Sequence, residues 1–206
     1  MRKMTVFLAT LFLVFGVFSS GHATLLFEDS FDSENGGTGA LNYTGFANWQ
    51  VSDGTVDLIG NGYYDFQPGN GLYVDMDGST GNAGKLTSTS LSLSAGSYLL
   101  SFDLAGNHRN GSPELVTVEV AMGGLFSQVY FLTVSEPFTT ITESFTVSSG
   151  QMASLSFEGA GGDNIGMLLD NIRLETASVP EPSTLLLLGM GVLGIAGYGR
   201  RKIKRS

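Results

Sequence analysis

Ser97-Tyr98-Leu99-Leu100-Ser101-Phe102-Asp103-Leu104-Ala105 reads as a β-strand with one apolar face, because Tyr98, Leu100, Phe102 and Leu104 recur at every second position. Successive side chains of a strand point to opposite faces, so a period of two gathers these four on one side of a sheet. The same spacing on a helix would scatter them around its circumference. The pattern returns in Val116, Val118 and Val120, in Ile141, Phe145 and Val147, in Leu155 and Phe157, and in Leu168, Ile172 and Leu174. One apolar face per strand needs a second layer to cover it. The expected fold is therefore all-β, with two antiparallel sheets packed face to face.

Weaker strands are expected at 25–27, 49–51, 55–59, 72–76, 84–93 and 126–133. Between them lie glycine-bearing turns such as Gly60-Asn61-Gly62, Pro68-Gly69-Asn70-Gly71 and Asp77-Gly78. No amphipathic helix interrupts residues 24–176, and no fixed-period repeat occurs. Roughly nine or ten short strands in this span fit a β-sandwich of jelly-roll type.

Charge and composition narrow the function classes. The chain has 206 residues, 29 of them glycine, and a formal net charge of −9. Between Lys3 and Arg200 only Lys85, Arg109 and Arg173 are basic, against all 19 acidic residues. Such a surface repels a phosphate backbone, so nucleic acid is not an expected partner. There is no cysteine, which excludes disulfides, thiolate catalysis and cysteine-ligated metals.

The two ends read as addresses. Arg2 and Lys3 precede an apolar run at 6–18, and Ser19-Ser20-Gly21-His22-Ala23 supplies small residues before a cut after Ala23. Residues 1–23 are thus expected to be a secretory signal peptide. At the other end, 177–206 holds Val179-Pro180-Glu181-Pro182, an apolar run at 185–198, and the basic residues Arg200, Arg201, Lys202, Lys204 and Arg205. The prolines lack backbone donors and bias their neighbours toward extended backbone. The apolar run is about 21 Å long as a helix, against a hydrocarbon core of about 30 Å. Adding Ser183, Thr184 and Gly199, with Arg200 snorkelling, brings it near a minimal transmembrane helix. The basic end is expected to stay cytoplasmic.

This three-part tail resembles the PEP-CTERM sorting signal of Gram-negative bacteria. The resemblance implies recognition by an exosortase, transient residence in the inner membrane, and delivery to the cell surface, outer membrane or extracellular matrix. The domain at 24–176 resembles the galactose-binding-like jelly rolls, a group that includes carbohydrate-binding modules. The matching stretches are Asn48-Trp49-Gln50-Val51, Gly54-Thr55-Val56-Asp57-Leu58-Ile59, Tyr73-Val74-Asp75-Met76-Asp77-Gly78, Gly96 to Phe102, and Leu168-Leu169-Asp170-Asn171-Ile172-Arg173-Leu174. This likeness implies the fold more firmly than any ligand.

Candidate chemistry follows from single residues. Continuous alternation would turn Asp170 into the core with Leu168, Ile172 and Leu174, and a bare carboxylate there is costly. Many jelly rolls of this kind carry a structural calcium where the first and last strands meet, so the resemblance implies Glu28 and Asp170 as ligands. The alternative is that Asp170 caps a bulge or accepts backbone hydrogen bonds. Asp75-Met76-Asp77-Gly78 lacks the spaced acids and closing glutamate of an EF-hand and reads as a strand end and turn.

For a sugar ligand, Tyr63 and Tyr64 are the expected stacking residues, since neighbours in a strand face opposite ways and one of them must be exposed. Trp49, Phe66, Tyr73 and Tyr130 are further aromatic candidates, with Trp49 better placed in the core. Asn61, Asp65, Asn107 and Arg109 are candidate hydrogen-bonding partners. After signal cleavage His108 is the sole histidine and no Gly-x-Ser-x-Gly elbow occurs, so no catalytic residues are expected. The expected role is a non-enzymatic, surface-sorted β-sandwich, structural in exopolysaccharide or biofilm; the alternative is a carbohydrate-binding module.

Overall fold

A computed structural model describes residues 23–109 and 115–178, with Gly189 and Gly191; the side chains of residues 115–120 are excluded. The signal-peptide residues 1–22, the Val179–Pro182 motif, the apolar run and the basic tail lie outside the described residues, apart from those two glycines. Among the described residues no helix is long and apolar enough to cross a membrane. Thr24–Ala177 forms one compact unit.

Among the described residues thirteen strands run in the order β1 (Leu25–Asp29), β2 (Trp49–Ser52), β3 (Asp57–Gly60), β4 (Leu72–Asp75), β5 (Lys85–Ser88), β6 (Leu91–Leu93) and β7 (Gly96–Ala105), and continue with β8 (Leu115–Met122), β9 (Phe126–Thr133), β10 (Thr139–Val147), β11 (Gln151–Ala153), β12 (Leu155–Ala160) and β13 (Leu168–Thr176). One sheet has the order β10-β7-β13-β4-β3, with β1 also on β13. The second has the order β2-β5-β12-β8-β9, and β11-β6 forms a small ribbon. Every strand pair is antiparallel. The result is an all-β sandwich of jelly-roll type.

Each sheet turns its large side chains inward. Tyr98, Leu100, Phe102 and Leu104 of β7 are buried, as are Phe145 and Val147 of β10 and Leu155 and Phe157 of β12. Aromatic rings couple the layers edge to face. Phe102 meets Phe157 at 5.4 Å and Tyr130 at 5.5 Å, Phe157 meets Trp49 at 5.8 Å, and Trp49 meets Phe27 at 5.3 Å. These separations and tilts are the favoured ring geometry. The chain of rings therefore spans β1, β2, β12, β7 and β9.

Two expectations change. The run at 84–93 is two strands, because Thr89 and Ser90 leave the ladder; Ser88 Oγ instead accepts from Leu155 N–H at 2.9 Å. The alternation along β13 is also not continuous. Its register against β7 slips between Asp170 and Arg173, and Asn171 has φ +49°. An extra residue in a bulge reverses strand parity, and asparagine tolerates the left-handed backbone it needs. Leu169, Ile172 and Leu174 face the main core, whereas Leu168 joins a smaller cluster with Ile59, Tyr73 and Ala105 on the sheet's other face. Asp170 stands opposite Asp103 and shares that outer face. It is not a core-facing residue.

Candidate functional site

The bulge places Asp170 where β1 and β4 meet end to end along β13. There β4 pairs Leu168 and Leu169, and β1 pairs Ile172 to Glu175. Asp170 is only 1% exposed. Its Oδ1 accepts Asn171 N–H at 2.7 Å, and its Oδ2 lies 3.3 Å from Asn171 Nδ2. Burial pushes its carboxyl up to about 8, opposed by the Asn171 N–H and reinforced by repulsion from Asp32, Asp103 and Asp29.

Above this junction opens a cleft of about 480 Å³ whose lining includes Glu28, Asp29, Asn48, Asp103, Asn171 and Arg173. Its polar groups are largely tied to one another. Asp29 Oδ2 accepts Trp49 Nε1–H at 2.9 Å and Asn48 Nδ2–H at 3.1 Å, while its Oδ1 accepts Phe31 N–H. Asp103 accepts from Thr140 Oγ1 at 2.5 Å and Asn171 Nδ2 at 2.9 Å.

Glu28 lies at the cleft rim, paired with Arg173 at 3.1 Å, and Arg173 also holds Glu175. Both groups of the first pair are well exposed, so that bridge contributes little stability. Glu28 and Asp170 thus share a face but not a partner. Among the described residues no three His, Cys, Asp or Glu side chains are close enough to hold an ion together. Asp29, Asp103 and Asn171 were not singled out from the sequence; only the bulge brings them to one place.

The β3–β4 loop carries the tyrosine candidates. Tyr63 and Tyr64 lie in the β3–β4 loop, not in a strand, with rings edge to face at 4.9 Å. Gly60 and Tyr63 exchange two backbone hydrogen bonds at 2.9 Å, which closes the turn. Tyr64, at φ +45°, is 54% exposed. The other aromatic candidates are not free platforms. Trp49 is core, Tyr73 is buried and donates to Asp65 at 3.0 Å, and Tyr130 donates to Glu143 at 2.8 Å.

Asn107 and Arg109 are internal struts. Asp75 Oδ2 accepts Asn107 Nδ2–H at 2.8 Å and Arg109 Nη2–H at 3.0 Å, and its Oδ1 accepts Asp77 N–H and Gly166 N–H. Arg109 also donates to the Asn164 carbonyl and lies 4.8 Å from the Phe66 ring centroid. Asp77 Oδ2 collects the N–H groups of Gly162, Asp163 and Asn164. Only glycine fits at 166, where a Cβ would fall 2.2 Å from Asp77 N and 2.4 Å from Asp75 Oδ1. Burial pushes the Asp75 carboxyl up to about 7, while Asp77 N–H, Arg109 and Asn107 hold it lower than burial alone would.

Asp77 Oδ1, Asn107 Oδ1, Asn164 Oδ1, Arg109 Nε and Gln67 Nε2 are buried without a hydrogen-bond partner. Such groups destabilise a fold; the network fastens the segments 75–77, 107–109 and 162–166 to one another, at the end of the β3–β4 hairpin opposite the Tyr63–Tyr64 loop. The sequence signal for it is an aspartate at a strand end, then Asp77-Gly78, with Gly106-Asn107 and Gly161-Gly162 as facing turns. His108 stays apart, its Nε2 3.0 Å from the Glu136 carbonyl oxygen.

The family model described as the PEP-CTERM protein-sorting motif matches residues 178–202. The chain therefore carries that sorting motif at its C-terminal end. No curated protein matches the chain.

Among solved structures, the K3 cleaved adhesin domain of Lys-gingipain from Porphyromonas gingivalis is similar at 16% identity and TM-score 0.48, over 76% of this chain and 100% of that one. The CBM6 of a marine laminarinase from Zobellia galactanivorans gives 14% and 0.42 over 76% and 100%. The CBM22-1–GH10 modules of a Clostridium thermocellum xylanase give 13% and 0.46 over 76% and 29%. Likeness at these scores carries no functional weight.

Proposed function

We propose that this chain is an exported protein delivered to the cell surface or extracellular matrix by an exosortase, with the β-sandwich as non-enzymatic cargo. The observation that carries the proposal is the sorting motif at 178–202, which coincides with the Pro-Glu-Pro segment, the apolar run and the start of the basic end. In this reading the signal peptide starts export and the C-terminal helix halts the chain in the inner membrane. The enzyme then meets Pro180 to Pro182 at the outer face of the inner membrane. The sandwich acts structurally in exopolysaccharide or biofilm.

Replacing both Pro180 and Pro182 by alanine is expected to abolish processing and surface delivery while leaving export intact. Cell fractionation with immunoblotting reads this directly. Unchanged processing and delivery would refute the sorting role.

A carbohydrate-binding role is the second reading, favoured by the exposed Tyr63–Tyr64 pair, set edge to face in the β3–β4 loop. Tyr64→Ala is then expected to reduce retention on the host's own polysaccharide at least tenfold in affinity electrophoresis; equal retention removes this reading.

A structural calcium at the β1–β13 junction belongs to the same proposal. Asp170 would anchor it, and Glu28 would have to leave Arg173 to join. EDTA is then expected to lower the melting temperature, and an unchanged value removes the ion.

A further inference from the structure

We infer that Asn61 is a self-modifying residue, converted to aspartate or isoaspartate with the Asp65 carboxylate as the base. This inference goes beyond the sorting and ligand readings and depends on neither. In an asparagine–glycine pair the glycine nitrogen can attack the asparagine side-chain amide, because glycine has no Cβ to obstruct the approach. The sequence holds such pairs at Asn35-Gly36, Asn61-Gly62, Asn70-Gly71 and Asn110-Gly111. The last lies outside the described residues.

Exposure does not separate the other pairs, since Asn35, Asn61 and Asn70 are all exposed. Hydrogen bonding does. Asn35 Nδ2 donates to the Thr38 carbonyl and Asn70 Nδ2 to the Gln67 carbonyl, each at 2.8 Å, so both amides are held by acceptors outside their own pair. Among the described residues the Asn61 side chain has no hydrogen-bond partner, and it is free to turn toward Gly62. The turn around it is well defined. Gly60 and Tyr63 close it, and Asn61 N–H donates to the Gly71 carbonyl at 3.1 Å. Asn61 at φ +51° and Gly62 at φ +82° are the residue types that a two-residue hairpin turn of this backbone favours.

The second difference lies at the attacking atom. Gly62 N–H donates to Asp65 Oδ2 at 3.1 Å, within the reach a general base needs to take a proton. The other oxygen, Asp65 Oδ1, accepts the hydroxyl of the fully buried Tyr73 at 3.0 Å, which fixes the carboxylate in place. Among the described residues neither Gly36 N–H nor Gly71 N–H donates to a carboxylate.

In the first step the Gly62 nitrogen bonds to Asn61 Cγ and its proton passes to Asp65 Oδ2. The proton then goes to the departing side-chain nitrogen, which leaves as ammonia. One water opens the resulting succinimide at either carbonyl, giving aspartate or isoaspartate. Either product adds a negative charge beside Tyr63 and Tyr64. Isoaspartate also adds a methylene to the backbone of the turn that sets the two rings.

The full chain in detergent, incubated near neutral pH and mapped by peptide mass spectrometry, is expected to gain about 1 Da at Asn61, at least about tenfold faster than at Asn35 or Asn70. Heavy-oxygen water should label the new carboxylate. In urea the three sites should react at similar rates, because the fold sets their order. Asp65→Asn keeps an acceptor for the Tyr73 hydroxyl but cannot take the proton, and should slow Asn61 about tenfold or more. Tyr73→Phe keeps the base and should leave Asn61 ahead of the other two. Equal rates in the folded chain overturn the inference, as does an order that persists in urea. An unchanged rate in Asp65→Asn, or equal slowing in Asp65→Asn and Tyr73→Phe, overturns the role of Asp65 as base.

Discussion

Phe157→Ala is expected to lower the free energy of unfolding by about 3–5 kcal/mol, the usual cost of deleting a buried ring. Phe157 is fully buried on β12 and touches Trp49 and Phe102 edge to face. Its removal opens a cavity at the point where rings from both sheets meet, and closing it would require two layers to move together. Ordinary domains are stable by only about 5–15 kcal/mol, so the variant loses a large share of the total. With no disulfide to limit the unfolded chain, nothing covalent offsets the loss. Urea unfolding of the exported domain, followed by tryptophan fluorescence, reads the change because Trp49 is the sole tryptophan and part of the same cluster. A shift below about 1 kcal/mol, typical of a surface change, would mean that the sheets are not held at this position.

Stability is expected to fall as pH is raised from about 4 to about 8, by on the order of a few kcal/mol. Asp75 and Asp170, whose ordinary value is 3.8, are pushed up to about 7 and about 8, chiefly by burial. Between the ordinary and the raised values the folded chain holds more protons than the unfolded chain, so stability declines with pH. The contribution is complete below about 4 and is lost as pH passes through about 7 for Asp75 and about 8 for Asp170.

Asp170→Asn keeps the acceptor for Asn171 N–H and removes the repulsion from Asp32, Asp103 and Asp29. It should match the parent below about pH 4 and exceed its melting temperature at pH 8 in the presence of EDTA. In calcium the order is expected to reverse at pH 8, because the ion proposed at Asp170 stabilises the parent and EDTA removes it. Thermal melts at the two pH values distinguish these outcomes.

The sandwich was legible wherever alternation ran unbroken. β7, β10 and β12 bury the residues that their period of two selects, because a flat strand between two layers leaves no other choice. Legibility ended at Asp170. A bulge adds one residue and reverses every later side chain, and its only mark in the sequence is Asn171, a residue type equally common in turns.

Tyr63 and Tyr64 are exposed, but as loop residues whose backbone is set by Gly60 and Tyr64's positive φ. Asn107 and Arg109 look like binding residues when read singly. In the fold they serve Asp75, a residue more than thirty positions earlier. Polar networks assembled from several loops have no sequence period, which is why this one was missed. The tail is the opposite case: its order of prolines, apolar run and basic end is a linear signal, and the sorting-motif match falls on it.

The intact mass of the protein recovered from the cell surface, in a host with an exosortase and in the same host lacking it, is the most direct measurement. The expected chain begins at Thr24 and lacks the basic residues 200–205 only where the exosortase is present. A recovered chain that keeps Ser206 in both hosts, or reaches the surface equally without the enzyme, would contradict exosortase sorting.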